Sequence, residues 1–378
     1  MYRSDDGGRS WKHLGLDASF HIGRIVIDPK DENHVLVATT GALYETDETR
    51  GLYRTRDGGD TWEQILFLNE KTSCIDVAVN PWNPDIIYAA MWERVRAPWG
   101  RDYAGENSAI YRTRDGGLTW QRLENGLPQA NRSIRGRIGL ALSTAEPNTL
   151  YASFTQDAVT NEFDGVFKTT DGGDTWEETS RYQLIGAYST FGWYFGNLRI
   201  DPKDPNTAYV LGVNLFKTTD GGQNWRIITR GMHVDQHALA IHPNNSDFMV
   251  AGNDGGVYVS DDAGMNWEHC DNLPITQFYQ CGVSQEGEPA YYGGSQDNGT
   301  LKMGDSNIGN WTQVLGGDGF HTVVDPNNSE IVYAEYQWGN FFRSLNGGLS
   351  FQRHMNGINS DDRNNWNSPC VLDPSISA

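Results

Sequence analysis

The sequence has little of what would place it in a membrane, on nucleic acid or among the common hydrolases. No apolar run approaches the ~20 residues that span a bilayer. Basic residues are scarce, 29 Lys and Arg against 49 Asp and Glu, for a net charge of −20. Such a surface repels nucleic acid and anionic lipid and leaves neutral glycans or basic partners. Cys74, Cys270, Cys281 and Cys370 include no Cys-x-x-Cys pair, which argues against a structural zinc site. Cys270 and Cys281 are close enough in sequence to be bridged across neighbouring repeats, or are free buried thiols. There is no nucleophilic Ser or Cys motif, no phosphate loop and no His-Glu-x-x-His string, and neither metal nor cofactor is expected.

What the chain does have is a repeat. The pattern Ser/Thr-x-Asp-x-Gly-x-Ser/Thr/Asn-Trp occurs at Ser4–Trp11, Thr55–Trp62, Thr113–Trp120, Thr169–Trp176, Thr218–Trp225 and Ser260–Trp267. A weaker copy runs from Ser344 to Phe351, with Asn346 in place of Asp, and an eroded one lies near Asn307–Val314. Short polar side chains bonded back to nearby amides hold tight turns, and the second Gly suits a positive φ. The Trp would bury roughly 150–250 Å² between neighbouring sheets, worth about 4–6 kcal/mol as an upper estimate. Alternating strands such as "GLYRT" precede each box, and a pair such as "RIVIDP" and "HVLVAT" lies upstream. Four strands per unit of about 50 residues, repeated, predict an all-β propeller of seven or eight blades.

Complete blades are expected over 20–68, 72–125, 134–180, 194–230, 236–270, 278–315 and 319–354. Residues 1–13 supply an orphan outer hairpin and 366–374 an orphan inner strand, which either meet to close a ring of eight or belong to neighbours of a ring of seven. Because the chain opens inside a repeat, it is read as one propeller within a longer polypeptide with further domains, secreted or periplasmic.

These boxes resemble the Asp-box (BNR) repeat of sialidases, sortilin-type receptors, xyloglucan-cleaving hydrolases and a photosystem assembly factor. The resemblance implies that the boxes are scaffold, on the rim away from the ligand. Function is then expected in the second-to-third-strand loops and the blade-to-blade loops. The longest, Met91–Ser108, carries Trp92, Trp99 and Tyr103 with Arg94, Arg96 and Arg101. A second, Tyr188–Asn197, carries Trp193 and Tyr194. Exposed rings suit sugar faces or a protein interface, or else cap the blade ends. His233, Asp235 and His237 alternate, so on an extended strand they would share one face and suit a metal, a carboxylate–imidazole pair or ordinary loop bonding.

Asp254 in "GNDGGVY", Asp297 with Gln296 in "GGSQDNGT", and Asp318 with His321 in "GGDGFHTVVDP" occupy Gly-rich turns outside the boxes, where Asx turns are the plain alternative. The second half is similar to large secreted bacterial sortilin-like or glycosyl-hydrolase-like Asp-box proteins. "GNDGGVY" resembles the Asp-Ile-Gly-Gly turn that holds a catalytic acid in glycoside hydrolase family seventy-four. That resemblance implies a catalytic role for Asp254, partnered by Asp297 or Asp318, on a polysaccharide. The alternative is a non-catalytic, sortilin-like propeller that binds a protein or peptide. A sialidase fits less well, for want of an Arg-Ile-Pro segment near the start.

Overall fold

The computed structural model describes residues 1–378 except 130–134, 157–162, 274, 286, 288, 305–309, 360, 374 and 376–378. The described residues form seven four-stranded antiparallel sheets and two two-stranded ribbons, with helix confined to short 3-10 turns. No helix among them is long and apolar enough to cross a membrane. The first sheet takes Ile22–Asp28, Asp31–Thr39, Gly51–Thr55 and Glu63–Leu66 in chain order. The other six follow the same plan and begin at Thr72, Ile138, Asn197, Gln236, Phe278 and Gly319.

The chain divides into two compact units, Met1–Asn253 with Tyr258–Glu268, and Asp254–Val257 with His269–Ala378. In the first unit, apolar clusters fill the spaces between successive sheets. The largest joins the second and third sheets through Tyr88, Trp92, Ile110, Ile138, Phe154 and Trp176. Where both faces are covered, in the second, third and fourth sheets, the middle strands are almost wholly buried, as in Ile87–Glu93, apart from Glu93 itself, and Leu150–Thr155. The expected polar–apolar alternation is therefore replaced by alternation of large and small residues (Tyr88, Ala89). In the second unit the corresponding cluster is smaller, built on Tyr292, Val324 and Val332.

Every box folds the same way. In Thr55–Trp62 the Thr55 hydroxyl accepts from Gly59 N at 2.9 Å and donates to Asp57 Oδ1 at 2.7 Å. Asp57 accepts in turn from Thr61 N at 2.9 Å and from the Thr61 hydroxyl at 2.6 Å. The two glycines take φ of 72° and 98°, a region that favours Gly; Ala263 accepts the strain at the first of these positions in the sixth box, with φ 58°. The box Trp reaches the preceding sheet or ribbon, and Trp62, Trp120 and Trp267 donate their indole N–H to Leu14 O, Ile65 O and Ile228 O at 2.7–2.9 Å. Box substitutions at Asn346 keep the turn, with Ser350 N at 3.0 Å from Asn346 Oδ1.

A second set of ties was not anticipated from the sequence. The basic residue just before a box reaches the carbonyl at the fourth position of the next box: Arg54 to Gly116 O, Arg112 to Gly172 O at 2.5 Å and Lys217 to Ala263 O at 2.9 Å. Lys302, in the sheet without a recognisable box, does the same to Gly347 O at 2.7 Å. Arg112 also binds Gln121 and Asp174, with its own side chain 2% exposed. Arg112→Met is expected to cost about 1.5–3 kcal/mol, the scale of a buried charge-assisted hydrogen bond, as read by urea denaturation.

Two sequence expectations change. The segment 366–373 forms no strand, its Ser368 N instead bonding Glu335 Oε1 at 2.6 Å. His233, Asp235 and His237 do not share a strand face, because the strand begins at Gln236 and Asp235 turns the backbone with φ 66°. All four cysteines are free. Residues 1–13 form a small ribbon, Tyr2–Arg3 against Lys12–His13. Part of the eroded box at Asn307–Val314 lies outside the described residues; Trp311 opens the strand Trp311–Leu315.

Candidate functional site

Strand alternation puts the boxes, which join third to fourth strands, at one end of each sheet. The second-to-third-strand turns and sheet-to-sheet links fall at the other end. Asp254, Asp297 and Asp318 all lie at that other end, in the second unit. Asp254 sits between Asn245–Asn253 and Gly256–Ser260, and Asp297 between Tyr291–Ser295 and Gly299–Met303. Asp318 precedes Gly319–Asp325.

The structure brings the three together. Asp318, 5% exposed, accepts from Asp297 N at 2.9 Å and from Gln337 Nε2 at 2.9 Å. Asn298 Nδ2 donates to Asp254 O at 2.8 Å and to Gln296 O at 3.1 Å, closing the turn onto its neighbour. Asp297 adopts φ 58°, unusual for a side chain other than Gly, and its carboxyl is hydrogen-bonded to that of Asp254. Burial, the Asp318 charge and Asp254 together push the Asp297 carboxyl up to about 6, against a lowering contribution from the Gln296 side chain. The box acids behave oppositely: hydroxyl and amide donors hold Asp6 and Asp115 down at about 2.

These opposite shifts give the two units opposite responses to acid. Asp297 holds its proton more tightly when folded, so stability of the second unit falls as pH rises from roughly 4, the ordinary carboxyl value, through about 6. The boxed acids are all in the first unit; their contribution is present above roughly pH 4 and is lost as pH falls toward about 2. Hydrogen exchange of the whole chain between pH 3 and 7 is expected to show protection in 269–378 declining with rising pH. Protection in 1–253 is expected to decline only on the acid side.

Aromatic rings flank the acids. Tyr279, whose phenol is raised by burial and by the charges of Asp318 and Asp297, stacks on Phe320 at 4.9 Å. Phe320 meets Trp366 edge-on at 5.8 Å, and Trp366 meets Trp338 at 5.0 Å. Trp338 and Trp366 remain 56% and 42% exposed. Sequence reasoning missed Tyr279, Gln337, Trp338 and Trp366. The register shows the signal: Ser295 pairs Gly299 and Tyr336 pairs Asn340, so Gln337-Trp338 stands where Gln296-Asp297 stands one sheet earlier, both second residues with positive φ. His321 lines a separate 370 Å³ cavity with Cys281 and Cys370.

In the first unit the predicted rings form a ladder. Trp92 meets Tyr103 at 5.9 Å, Tyr103 meets Trp193 at 5.6 Å, Trp193 meets Tyr194 at 5.5 Å and Tyr194 meets His237 at 4.9 Å. Trp92 and Tyr103 are 1% and 2% exposed, so of the readings open for these rings they take the one that caps the sheets, and they present no face to a ligand. Trp92 donates to Tyr103 O at 2.6 Å. Tyr194 and Trp99 are open, 48% and 90% exposed. His233 is half-buried and bonded to Val234 O. Among the described residues no group of His, Cys, Asp and Glu has the arrangement of a metal site.

Comparison with known proteins agrees with this architecture. The model of the family described as "Sortilin, neurotensin receptor 3" matches residues 1–136. A xyloglucanase from Hypocrea jecorina is 25% identical over 339 residues, 86% of this chain and 35% of its own length. A xyloglucanase from a Paenibacillus species is 25% identical over 237 residues, 57% of this chain and 21% of its own length. The chain thus spans about a third or less of these relatives. The crystal structure of an ancestral GH74 enzyme superposes with a TM-score of 0.50 at 15% identity, over 93% of this chain and 59% of that one. The chain is thus an Asp-box repeat protein that shares the fold of a GH74 enzyme and is similar, at 25% identity, to xyloglucanases.

Proposed function

We propose that the chain binds a plant-type or cell-surface polysaccharide and acts on it as a glycoside hydrolase through the carboxyls of the second unit. The seven sheets are taken as successive blades of one propeller of seven or eight blades. The observation that carries the reading is the hydrogen-bonded Asp254–Asp297 pair, with the Asp297 carboxyl raised to about 6 at the end of the sheets opposite the boxes. A carboxylic acid that keeps its proton in mildly acidic solution is what a glycosidic oxygen needs as proton donor.

In this mechanism Asp297 donates to the leaving oxygen. Asp254 holds the other end of the shared proton, and its charge keeps the Asp297 proton in place until transfer. Asp318, anchored by Gln337 and bonded to Asp297 N, is a positioning residue. Two carboxyls in hydrogen-bond contact leave no room for the water of an inverting pair, which needs about 6.5–9.5 Å. Asp254 and Asp297 therefore act as one acid on one side of the sugar, and completing the hydrolysis needs a second carboxylate on the opposite face to take the proton of the attacking water. The rings of Trp338 and Trp366 offer the apolar shelf that a pyranose face needs beside such a donor. The xyloglucanases among the relatives support a glucan backbone as the substrate.

The match of residues 1–136 to the sortilin family model favours a second reading, a non-catalytic propeller that grips a protein or peptide. Both are tested by incubating the whole chain with xyloglucan and mixed-linkage β-glucans. New reducing ends between pH 5 and 6 are the expected result. Retention on the polymer without any product would remove the hydrolase and keep the glycan; neither retention nor product would leave the protein-binding reading.

A further inference from the structure

The first unit carries cations arranged in an unusual way for so acidic a chain. Between the second and third strands of the second sheet, Val95–Ala97 and Gly100–Asp102 pair as a hairpin in which Arg96 stands directly opposite Arg101. Like charges at a directly opposed position are destabilising. Arg94 lies two residues before Arg96, on the same face of an extended segment. The only carboxylate in the hairpin itself is the exposed Asp102, which is paired in register with Val95.

Each guanidinium lies over a ring. Arg94 sits 5.2 Å from the centroid of Trp92, Arg96 5.6 Å from Tyr44 and Arg101 5.8 Å from Trp193. Among the described residues none of the three makes a side-chain salt bridge, although other arginines of the chain do, such as Arg24 with Asp76 and Arg112 with Asp174. Stacking fixes the plane of a guanidinium and leaves its N–H edge open, the geometry that receives a carboxylate through two parallel bonds. Backbone bonds hold the platform: Arg94 N to Lys71 O at 3.0 Å and Arg96 N to Leu43 O at 3.2 Å. Arg137 Nη1 binds Tyr194 O at 2.7 Å and Trp193 O at 3.2 Å, fixing the ring under Arg101. The cations stand beside the open rings of Tyr194 and Trp99.

We infer that this Arg94–Arg96–Arg101 platform is a binding site for the carboxylates of an acidic polysaccharide, so that uronate-bearing chains bind here in addition to the neutral glucan proposed above. The inference rests on the glycan-binding reading above and adds a second chemical class to it. The exposed rings beside the cations favour sugar over an acidic peptide, since an alternation of apolar face and anionic edge is what a uronic acid presents.

The test is affinity electrophoresis and calorimetry of the whole chain with polygalacturonate, neutral xyloglucan and poly-glutamate. Polygalacturonate is expected to bind, with an affinity that falls as salt rises from 50 to 200 mM. The variant R94Q/R96Q/R101Q is expected to lose roughly tenfold or more of that affinity while keeping its urea midpoint and its binding of neutral xyloglucan. Binding of xyloglucan but not of polygalacturonate overturns the inference and leaves the glycan reading intact. Equal binding of poly-glutamate, or unchanged polygalacturonate binding in the folded triple variant, overturns it as well. Absence of binding to either glycan overturns both. Should the triple variant fail to fold, R101Q and R96Q singly serve, each expected to weaken polygalacturonate binding several-fold.

Discussion

Asp254→Asn is expected to lower turnover of a glucan substrate by roughly tenfold near pH 6, the scale of a one-unit fall in the pKa of the proton donor Asp297. The substitution keeps the shape and a hydrogen bond to Asp297 but removes the neighbouring charge. Asp297 then loses part of the upward push on its proton, while burial and the Asp318 charge remain. The rate of a reaction that needs protonated Asp297 falls as pH rises through that group's ionisation, near 6 in the unaltered chain. In Asp254→Asn this limb of the pH profile is expected to move toward acid without reaching the ordinary carboxyl value of about 4. A structural role alone would leave the limb where it was. Unchanged turnover together with an unmoved limb would dismiss Asp254 from the chemistry, and retained far-ultraviolet circular dichroism would show that the variant still folds.

Trp176→Ala is expected to destabilise the first unit by about 3–5 kcal/mol, the usual loss for a large ring removed from a packed core. Trp176 is 4% exposed and joins the cluster between the second and third sheets, with its backbone N held to Asn125 O at 3.0 Å. The comparison is Trp11, at the same box position but 63% exposed, where alanine is expected to change stability by less than about 0.5 kcal/mol. Urea denaturation followed by circular dichroism separates the two, since fluorescence would change with the loss of either ring. Equal losses at both positions would mean that the box Trp acts through its own turn and not through the sheet beneath it.

The boxes were legible because their chemistry is local: a hydroxyl, a carboxylate and a glycine within eight residues complete one turn, whatever surrounds it. The sheets that follow begin within a few residues of the boundaries drawn from the repeat, as at Thr72, Gln236 and Phe278. Pairings that depend on distant segments were not legible. Asp254, Asp297 and Asp318 stood out only as acids in Gly-rich turns, and nothing local showed that the first two share a hydrogen bond or that Gln337 anchors the third. Trp338 was passed over because a Trp in "QWGN" resembles neither an acid nor a box, although the turn repeats the one that carries Asp297. For Trp92 and Tyr103 the sequence leaves ligand contact and capping both open: a long loop rich in rings looks exposed, and only the fold shows that it doubles back over the ends of its own sheet. The alternation assigned to His233, Asp235 and His237 failed at one residue, Asp235, whose left-handed backbone breaks the period.

The ties from Arg54, Arg112, Lys217 and Lys302 to the next box hold four of the sheets to their successors at one margin, where an insertion or deletion would have to satisfy two sheets at once. At the far margin the second sheet accommodates an entire extra ribbon, Val95–Asp102, between strands that still pair in register from Ile87 to Met91. New recognition loops can thus be grafted or exchanged along one margin while the other keeps the frame, which makes this chain a natural chassis for altered specificity.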